Sequence, residues 1–451
     1  MGMDYLQVQE YLDTFVDHEK DTTYNYKNIK LDRVEQILAQ LGNPQDKFKS
    51  IHIAGTKGKG STCAFIFSML KESGYKIGLY TSPHLINFRE RIKISYHDEM
   101  GETRERLISE DEVTKIVEEL RPHIDAVSDL TLFEAYTIIA FKFFASYGVD
   151  FAILETGLGG RLDATNVVKP IICGITSISY DHTHLLGETL EQIAKEKAGI
   201  IKDNSLVVTA SQPPDAFRVI SSVCKEKNAR LYELGKDFIC DPIGQDLNGS
   251  CFDFRGIFDS YENLHISLVG QYQLLNVTLA IGIIQLLRLY DIVISSIAIK
   301  EGLENARWAG RMQFVHKNPH LLLDGAQNAA SAQALKAAIS MLLTPKKSIL
   351  ILGVSSDKDV EGICQHLCRH QDSIIITQAQ TPRAMDVDEL EKRMVRFQKI
   401  ITKTTNVEEA LNIAVEKADP EDLIVVAGSL YLIGEVFKLL KTINFSVKKN
   451  G

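Results

Sequence analysis

The sequence predicts an α/β protein of two domains, each built on a largely parallel sheet. Short apolar runs that end at Gly or Ser alternate with longer amphipathic stretches, the pattern of parallel strands joined by helical crossovers. A second set of such runs begins after the sequence ARWAGRM, which places a boundary near Arg307. The 451 residues suit two or three domains at roughly 100–200 residues each. With 45% hydrophobic residues the chain can fill proper cores.

The elements follow in order. The start, MGMDYLQVQEYLDTF, is acidic and amphipathic, unlike a basic and then apolar leader. Strands are expected at 50–54, 77–80, 151–154, 171–175 and 206–209, each followed by a helix. The polar segment 96–112 reads as a solvated connection. The greasiest stretch, 274–299, is interrupted by Asn276, Gln285, Arg288 and Asp291, so it reads as buried helix within a helical region 271–303, not as a membrane span. The first domain is expected to run over 1–306 and the second over 307–451, with further strands at 320–323, 349–352, 374–377 and 424–427. There is no internal repeat and no low-complexity tract.

Composition narrows the function. Lys and Arg number 50 against 59 Asp and Glu, a net charge of -9, which gives no electrostatic footprint for a nucleic-acid backbone and favours a small-molecule partner. The seven cysteines are odd in number and scattered, so a reducing, cytoplasmic compartment is expected.

The strongest local signal is Gly55-Thr56-Lys57-Gly58-Lys59-Gly60-Ser61. A β run leads into this glycine-rich loop and an amphipathic helix follows. Backbone amides and a helix N-terminus would face an anion there, with Lys59 as a point charge. The spacing departs from the standard Walker pattern, and an ordinary glycine turn is the bland alternative. A phosphate loop needs Mg²⁺, a hard cation that wants oxygen ligands near it. Glu155, at the carboxyl end of an apolar run, is the natural carboxylate.

Other motifs carry less. Gly157-Leu158-Gly159-Gly160 imitates half of a dinucleotide fingerprint but lacks its final glycine and an opening helix, so a nicotinamide site is not expected. Asp181-His182-Thr183-His184 follows a strand, where imidazole could ligate a metal or serve structure alone. Lys195-Glu196-Lys197-Ala198-Gly199 reads in isolation as a solvated basic helix end. Cys364, His366, Cys368 and His370 invite a zinc reading, but on one helix the two Cys and two His lie on opposing faces and cannot converge.

Taken together, AGTKGKGST, YTSPHLINFRERI, ETGLGGRLDATN, DHTHLLGETLEQIAKEKAGIIK, GRMQF, LLLDGAQN, SSDKD and GSLYLIGEV resemble the folylpolyglutamate synthase and dihydrofolate synthase family of the Mur ligase superfamily. The resemblance runs from about Leu31 to Val436. It implies a P-loop-type ATPase domain with a parallel-rich sheet and a smaller Rossmann-like C-terminal α/β domain. It also implies ATP-driven amide formation between L-glutamate and a folate, with dihydropteroate as a further acceptor, through an acyl phosphate, by a monomer.

Residue by residue, the resemblance has Gly55 to Ser61 cradle the triphosphate, with Lys59 on its terminal phosphates. Ser82 and Glu155 would hold one Mg²⁺, and His182 would help hold a second. Lys197 would be carbamylated and so serve the metal site. Asn276 would contact adenine, while Arg311 and Asp324 would reach the nucleotide from the C-terminal domain. Thr131, Leu132, Phe133, Glu134, Leu162, Asp163 and Ala164 would border the pterin.

Two positions depart from the family's usual pattern. Lys57 stands in place of Asn and adds a cation to the loop. Gln327 replaces His in DGAHN, and an amide cannot carry a proton as imidazole can. That departure keeps open a catalytically impaired, nucleotide-binding regulatory protein. A different Mur-type amide ligase is disfavoured, because such enzymes usually carry a further N-terminal substrate domain and here the phosphate loop begins at Gly55.

Overall fold

A computed structural model describes residues 2–17, 30–369, 371–397 and 401–440. His370, one of the four side chains weighed for zinc, lies outside the described residues.

Among the described residues the first eight strands are β1 (Lys49–Ala54), β2 (Ile77–Tyr80), β3 (Ile92–His97), β4 (Thr103–Leu107), β5 (Phe151–Glu155), β6 (Ile172–Ile175), β7 (Leu206–Thr209) and β8 (Arg230–Glu233). They form one sheet in the order β4-β3-β2-β5-β1-β6-β7-β8. Pairing is parallel from β2 to β8 and antiparallel at β2–β3 and β3–β4. The central strands are buried along nearly their whole length because both faces are covered. In β1 and β5, Ile51, Ile53, Phe151 and Ile153 face the helix Lys59–Glu72, while Ala152 and Leu154 face the helix Leu132–Tyr147. Ile53 is level with Glu155 across the ladder, so the phosphate loop and the carboxylate leave the sheet side by side.

Three more strands, β9 (Ile239–Asp246), β10 (Gly249–Arg255) and β11 (Ser260–Ile266), make an antiparallel meander. The meander packs Phe252 and Phe254 into the same core as helix Tyr272–Leu286. The second domain's sheet contains β12 (Gln313–Lys317), β13 (His320–Asp324), β14 (Ser348–Leu352), β15 (Ser373–Ile376), β16 (Ile401–Lys403) and β17 (Leu423–Ala427), in the order β12-β13-β17-β14-β15-β16. Only its edge pair β12–β13 is antiparallel. Helices cover both faces, giving two separate apolar layers.

Three sequence expectations change. No α-helix follows β2 or β5: the 3-10 turn Phe88–Arg91 leads into β3, which pairs antiparallel, and the 3-10 turn Ala164–Val167 stands between β5 and β6. The polar stretch 96–112 is a hairpin joining β3 to β4, followed by a helix capped by Ser109. It is polar because β4 is an exposed edge strand, a position where charge is favoured. The region 271–303 divides into helix Tyr272–Leu286, one 3-10 turn and helix Ser296–Asn305. The span Tyr272–Tyr290 is long and apolar enough to cross a membrane, yet 72% of its most apolar window is buried in the protein. Cys364 and Cys368 are both buried in the core, and all seven cysteines are free.

The two domains meet through an inserted side chain. Leu85, in the turn after β2, packs into the apolar layer of the second domain. Gly434, in helix Leu430–Leu439, makes the approach possible, since a Cβ there would stand 2.0 Å from the Leu85 carbonyl oxygen.

Candidate active site

A cleft of about 850 Å³ opens where the carboxyl ends of both sheets face each other. Every site residue expected above lines it except Leu132. That side chain opens helix Leu132–Tyr147 and packs into the core beneath the cleft, as its apolar character favours.

The phosphate loop is a tight strand-to-helix turn. Gly58 has φ +91° and lies against the Asn276 amide, where a Cβ would come within 2.0 Å of Oδ1. Gly60 lies under the indole of Trp308, whose ring leaves 2.6 Å for a Cβ. Not every amide of the loop is available to an anion. Thr56 and Lys57 both donate to the Ser177 carbonyl, and the Thr56 hydroxyl is paired with Ser179, so Thr56 shapes the loop. The donors left are those of Gly58, Lys59, Gly60 and Ser61 at a helix start that has no side-chain cap.

Lys59 donates to the Gly55 carbonyl at 3.3 Å and stands 3.9 Å from the Glu155 carboxylate. Glu155 is buried and accepts a long hydrogen bond, 3.3 Å, from the Ser82 amide. Burial, only partly offset by Lys59, pushes its carboxyl up to about 7. Lys57 reaches Asp181 at 3.1 Å. Although burial works against it, that ammonium, with His182 and Lys358, holds Asp181 below the usual carboxylate range. His182 occupies a left-handed backbone position, φ 49°. Burial, helped by Lys358, Lys197 and Lys59, lowers its imidazole to about 4, so at neutral pH the ring is uncharged.

Lys197 overturns the solvated-helix-end reading of its own segment. It is 5% exposed and donates to the Gly55 carbonyl at 2.9 Å. Burial first, then Lys59 and Lys57, brings its ammonium down to about 7.

From the second domain, Asp324 ends β13 and accepts a hydrogen bond from the Met312 amide at 2.8 Å. Burial raises its carboxyl against the pull of Arg311, which itself donates to the Gly310 carbonyl. Asn276 donates to Gln273 and fills the space beside Gly58. Gln327 lines the cleft just before helix Ala329–Leu342, its backbone N–H donating to the Ser331 hydroxyl.

At the opposite end, Thr131 and Glu134 cap helix Leu132–Tyr147 reciprocally, and Arg33 pairs with Glu134 at 3.0 Å. Phe133 and Leu162 give this end apolar walls. Asp163 is held from within: its carboxylate accepts from the Leu158 and Thr165 amides at 2.9 and 3.1 Å, and from Gly157. The glycine turn that imitated a dinucleotide fingerprint therefore wraps a carboxylate of its own chain. Next to it, Ala164 opens a short 3-10 turn.

Sequence reasoning gave no role to Trp308, Asp357, Lys358 or Arg383, all of which line the cleft. Asp357 pairs with both Lys358, at 3.4 Å, and Arg383, at 2.6 Å. The SSDKD motif was a signal for the first two; Arg383 had none. Among the described residues no three His, Cys, Asp or Glu side chains converge as a metal cluster.

Comparison with known proteins matches this arrangement. Residues 53–284 fit the Mur ligase middle domain, and residues 310–439 fit the dihydrofolate synthetase C-terminal domain. The dihydrofolate synthase/folylpolyglutamate synthase of Bacillus subtilis is 35% identical over 91% of this chain and 95% of its own. Folylpolyglutamate synthase of Mycobacterium tuberculosis, solved with ADP and AMPPCP, superposes with a TM-score of 0.85 at 28% identity, over 96% and 98% of the two chains. Escherichia coli FolC with DHPP and ADP gives 0.84 at 29%, over 97% and 98%. With both domain models and nearly the whole chain accounted for, this protein belongs to the dihydrofolate synthase/folylpolyglutamate synthase family of Mur-type ligases.

Proposed function

We propose that the chain joins L-glutamate to the carboxylate of a folate, and of dihydropteroate, at the expense of ATP. The observation that carries this reading is one cleft with three chemistries in sequence: an uncapped helix start with Lys59, a buried carboxylate beside it, and an apolar end holding Asp163.

The donor set suits magnesium. Glu155 is a buried carboxylate short of positive charge, its carboxyl pushed up to about 7, and a Mg²⁺ ion characteristically takes one or two carboxylates and completes its shell with substrate phosphates and water. Glu155 and Ser82 would hold one ion, and His182 would help hold a second. When bound, the ions neutralise charge on the phosphates of ATP. Lys197 suits carbamylation, because near neutral pH a large share of it is the free amine that adds to carbon dioxide with loss of a proton. The product would be a carboxylate in place of an ammonium, a sign that suits a metal-bearing site.

Lys59 and the amides of Gly58 to Ser61 stabilise the phosphoryl group as it passes from ATP to the acceptor carboxylate, leaving ADP and an acyl phosphate. Arg311 and Asp324 reach the nucleotide from the second domain, and Asn276 lies toward the base. Lys358 and Arg383 offer cations for the carboxylates of incoming glutamate. Its amine attacks the acyl carbon, phosphate departs with the bonding pair, and the amine loses a proton. Closure of the second domain keeps water from the acyl phosphate. A cleft lined from within one chain suits a monomer as the working unit, with residues 1–306 and 307–451 taken as its two domains. Seven free thiols suit the cytoplasm.

The test is ADP release with ATP, glutamate and each acceptor in turn. Turnover that needs both glutamate and a folate or dihydropteroate is the expected result. ADP release indifferent to every acceptor would overturn the reading.

A further inference from the structure

Asp163, at the apolar end of the cleft, has a second layer behind its carboxylate. Thr165, fully buried, donates its hydroxyl hydrogen to Asp163 Oδ1. The same hydroxyl oxygen lies 2.8 Å from Nε2 of His52, a fully buried residue in the middle of β1. Nδ1 of that imidazole is buried with no hydrogen-bond partner among the described residues.

These contacts fix the direction of the hydrogens. Burial keeps His52 uncharged, with its imidazole lowered to about 3. One ring nitrogen then carries a hydrogen and the other a lone pair. A buried N–H without an acceptor is rarer and costlier than an idle lone pair, so the hydrogen belongs on Nε2. His52 therefore donates to Thr165, and Thr165 can only donate onward to Asp163. The opposite tautomer would turn the Thr165 hydroxyl toward His52 and leave Asp163 Oδ1 facing a lone pair. Asp163 would then need a proton of its own, and it would lose its value as an acceptor for the N–H groups of a pterin.

We propose that His52 is a positioning residue for the pterin end of the acceptor, holding Asp163 as an oriented hydrogen-bond acceptor through Thr165. The proposal rests on the ligase reading above and extends it to residues that touch no substrate. The bland alternative, a core histidine satisfied by one hydrogen bond, predicts effects on stability alone.

The experiment compares Thr165→Val, Thr165→Ser, His52→Met and His52→Gln by steady-state kinetics and thermal melting. Thr165→Val keeps the side chain's shape and removes its hydroxyl, and His52→Met removes the ring donor. Both should raise KM for the folate acceptor by at least about tenfold, the worth of a hydrogen bond to a charged group. KM for ATP should stay within about twofold, since the phosphate loop is untouched. Thr165→Ser and His52→Gln, which each retain a donor, should recover most of the acceptor affinity. Should His52→Met fail to fold, the isosteric Thr165→Val carries the test. A folded Thr165→Val with unchanged acceptor KM, or with ATP and acceptor KM rising together, would overturn the proposal. A wild-type protein inactive with every acceptor would instead sink the function on which it rests.

Discussion

Lys197 owes its chemistry to the end of a helix that brings it under a loop far away in sequence. Its ammonium is lowered from 10.5 to about 7, so from about pH 7 upward the unfolded chain holds a proton that the folded chain has released. Stability therefore rises with pH across that window, and below it the buried charge is a full burden on the fold. Lys197→Met should accordingly melt higher than wild type in carbon-dioxide-free buffer, by more at about pH 6 than at about pH 9, while turnover collapses. In the wild type, activity should fall below about pH 7 and recover on adding bicarbonate, because only the free amine is carbamylated. A Lys197→Met protein of full activity would remove the lysine from the mechanism. Gln327 calls for the opposite expectation. It lines the cleft and has a side-chain amide that both donates and accepts, and the residues proposed to hold phosphate and metal line the same cleft. Gln327→His should change kcat by less than about tenfold, or ~1.4 kcal/mol in barrier. An inactive native protein rescued by orders of magnitude would show that a proton transfer had been lost at this position.

At the level of elements, apolar strands were legible and polar ones were not. β1, β2, β5, β6 and β7 are buried along their whole length or nearly so, and buried parallel strands announce themselves as short greasy runs. β4 alternates charge on an exposed edge, β9 has no buried position, and β10 and β11 mix buried with more exposed positions, so none yields such a run. Glycine spacing made the tight turn between β1 and helix Lys59–Glu72 readable, but nothing in one segment can show that Thr56 and Lys57 spend their amides on Ser177. The burial of Lys197 was hidden for the same reason: its partner, Gly55, is 142 positions away. Gly434 offers a test at this scale. Alanine would strengthen an isolated helix by about 0.5–1 kcal/mol. In the folded protein its Cβ would stand 2.0 Å from a backbone oxygen, which cannot give way, so the domains must part. Gly434→Ala should thus lower kcat by about tenfold or more with nucleotide binding largely kept, a geometric loss at the reacting centre. Normal kcat in that variant would mean the Leu85 contact does not govern closure.

The whole molecule divides its labour between sheets that face each other across one cleft. The alternation of runs and the break at ARWAGRM made two α/β domains readable from sequence. The way they face each other was not readable, because it depends on Leu85 entering the other domain's apolar layer and on Lys358 extending its field to His182 and Asp181. The crossing between the domains also places Trp308 with its ring edge over Gly60, at the mouth of the phosphate loop. It is the chain's single tryptophan among 15 tyrosines. Light absorbed at the red edge of the protein spectrum, beyond tyrosine, therefore reports from this hinge and nowhere else. Titration with a non-hydrolysable ATP analogue should shift the emission along a one-site curve that is absent in Trp308→Phe, and flat emission through saturation would mean the ring ignores the nucleotide. The protein is built with its own optical probe at the joint between its two halves.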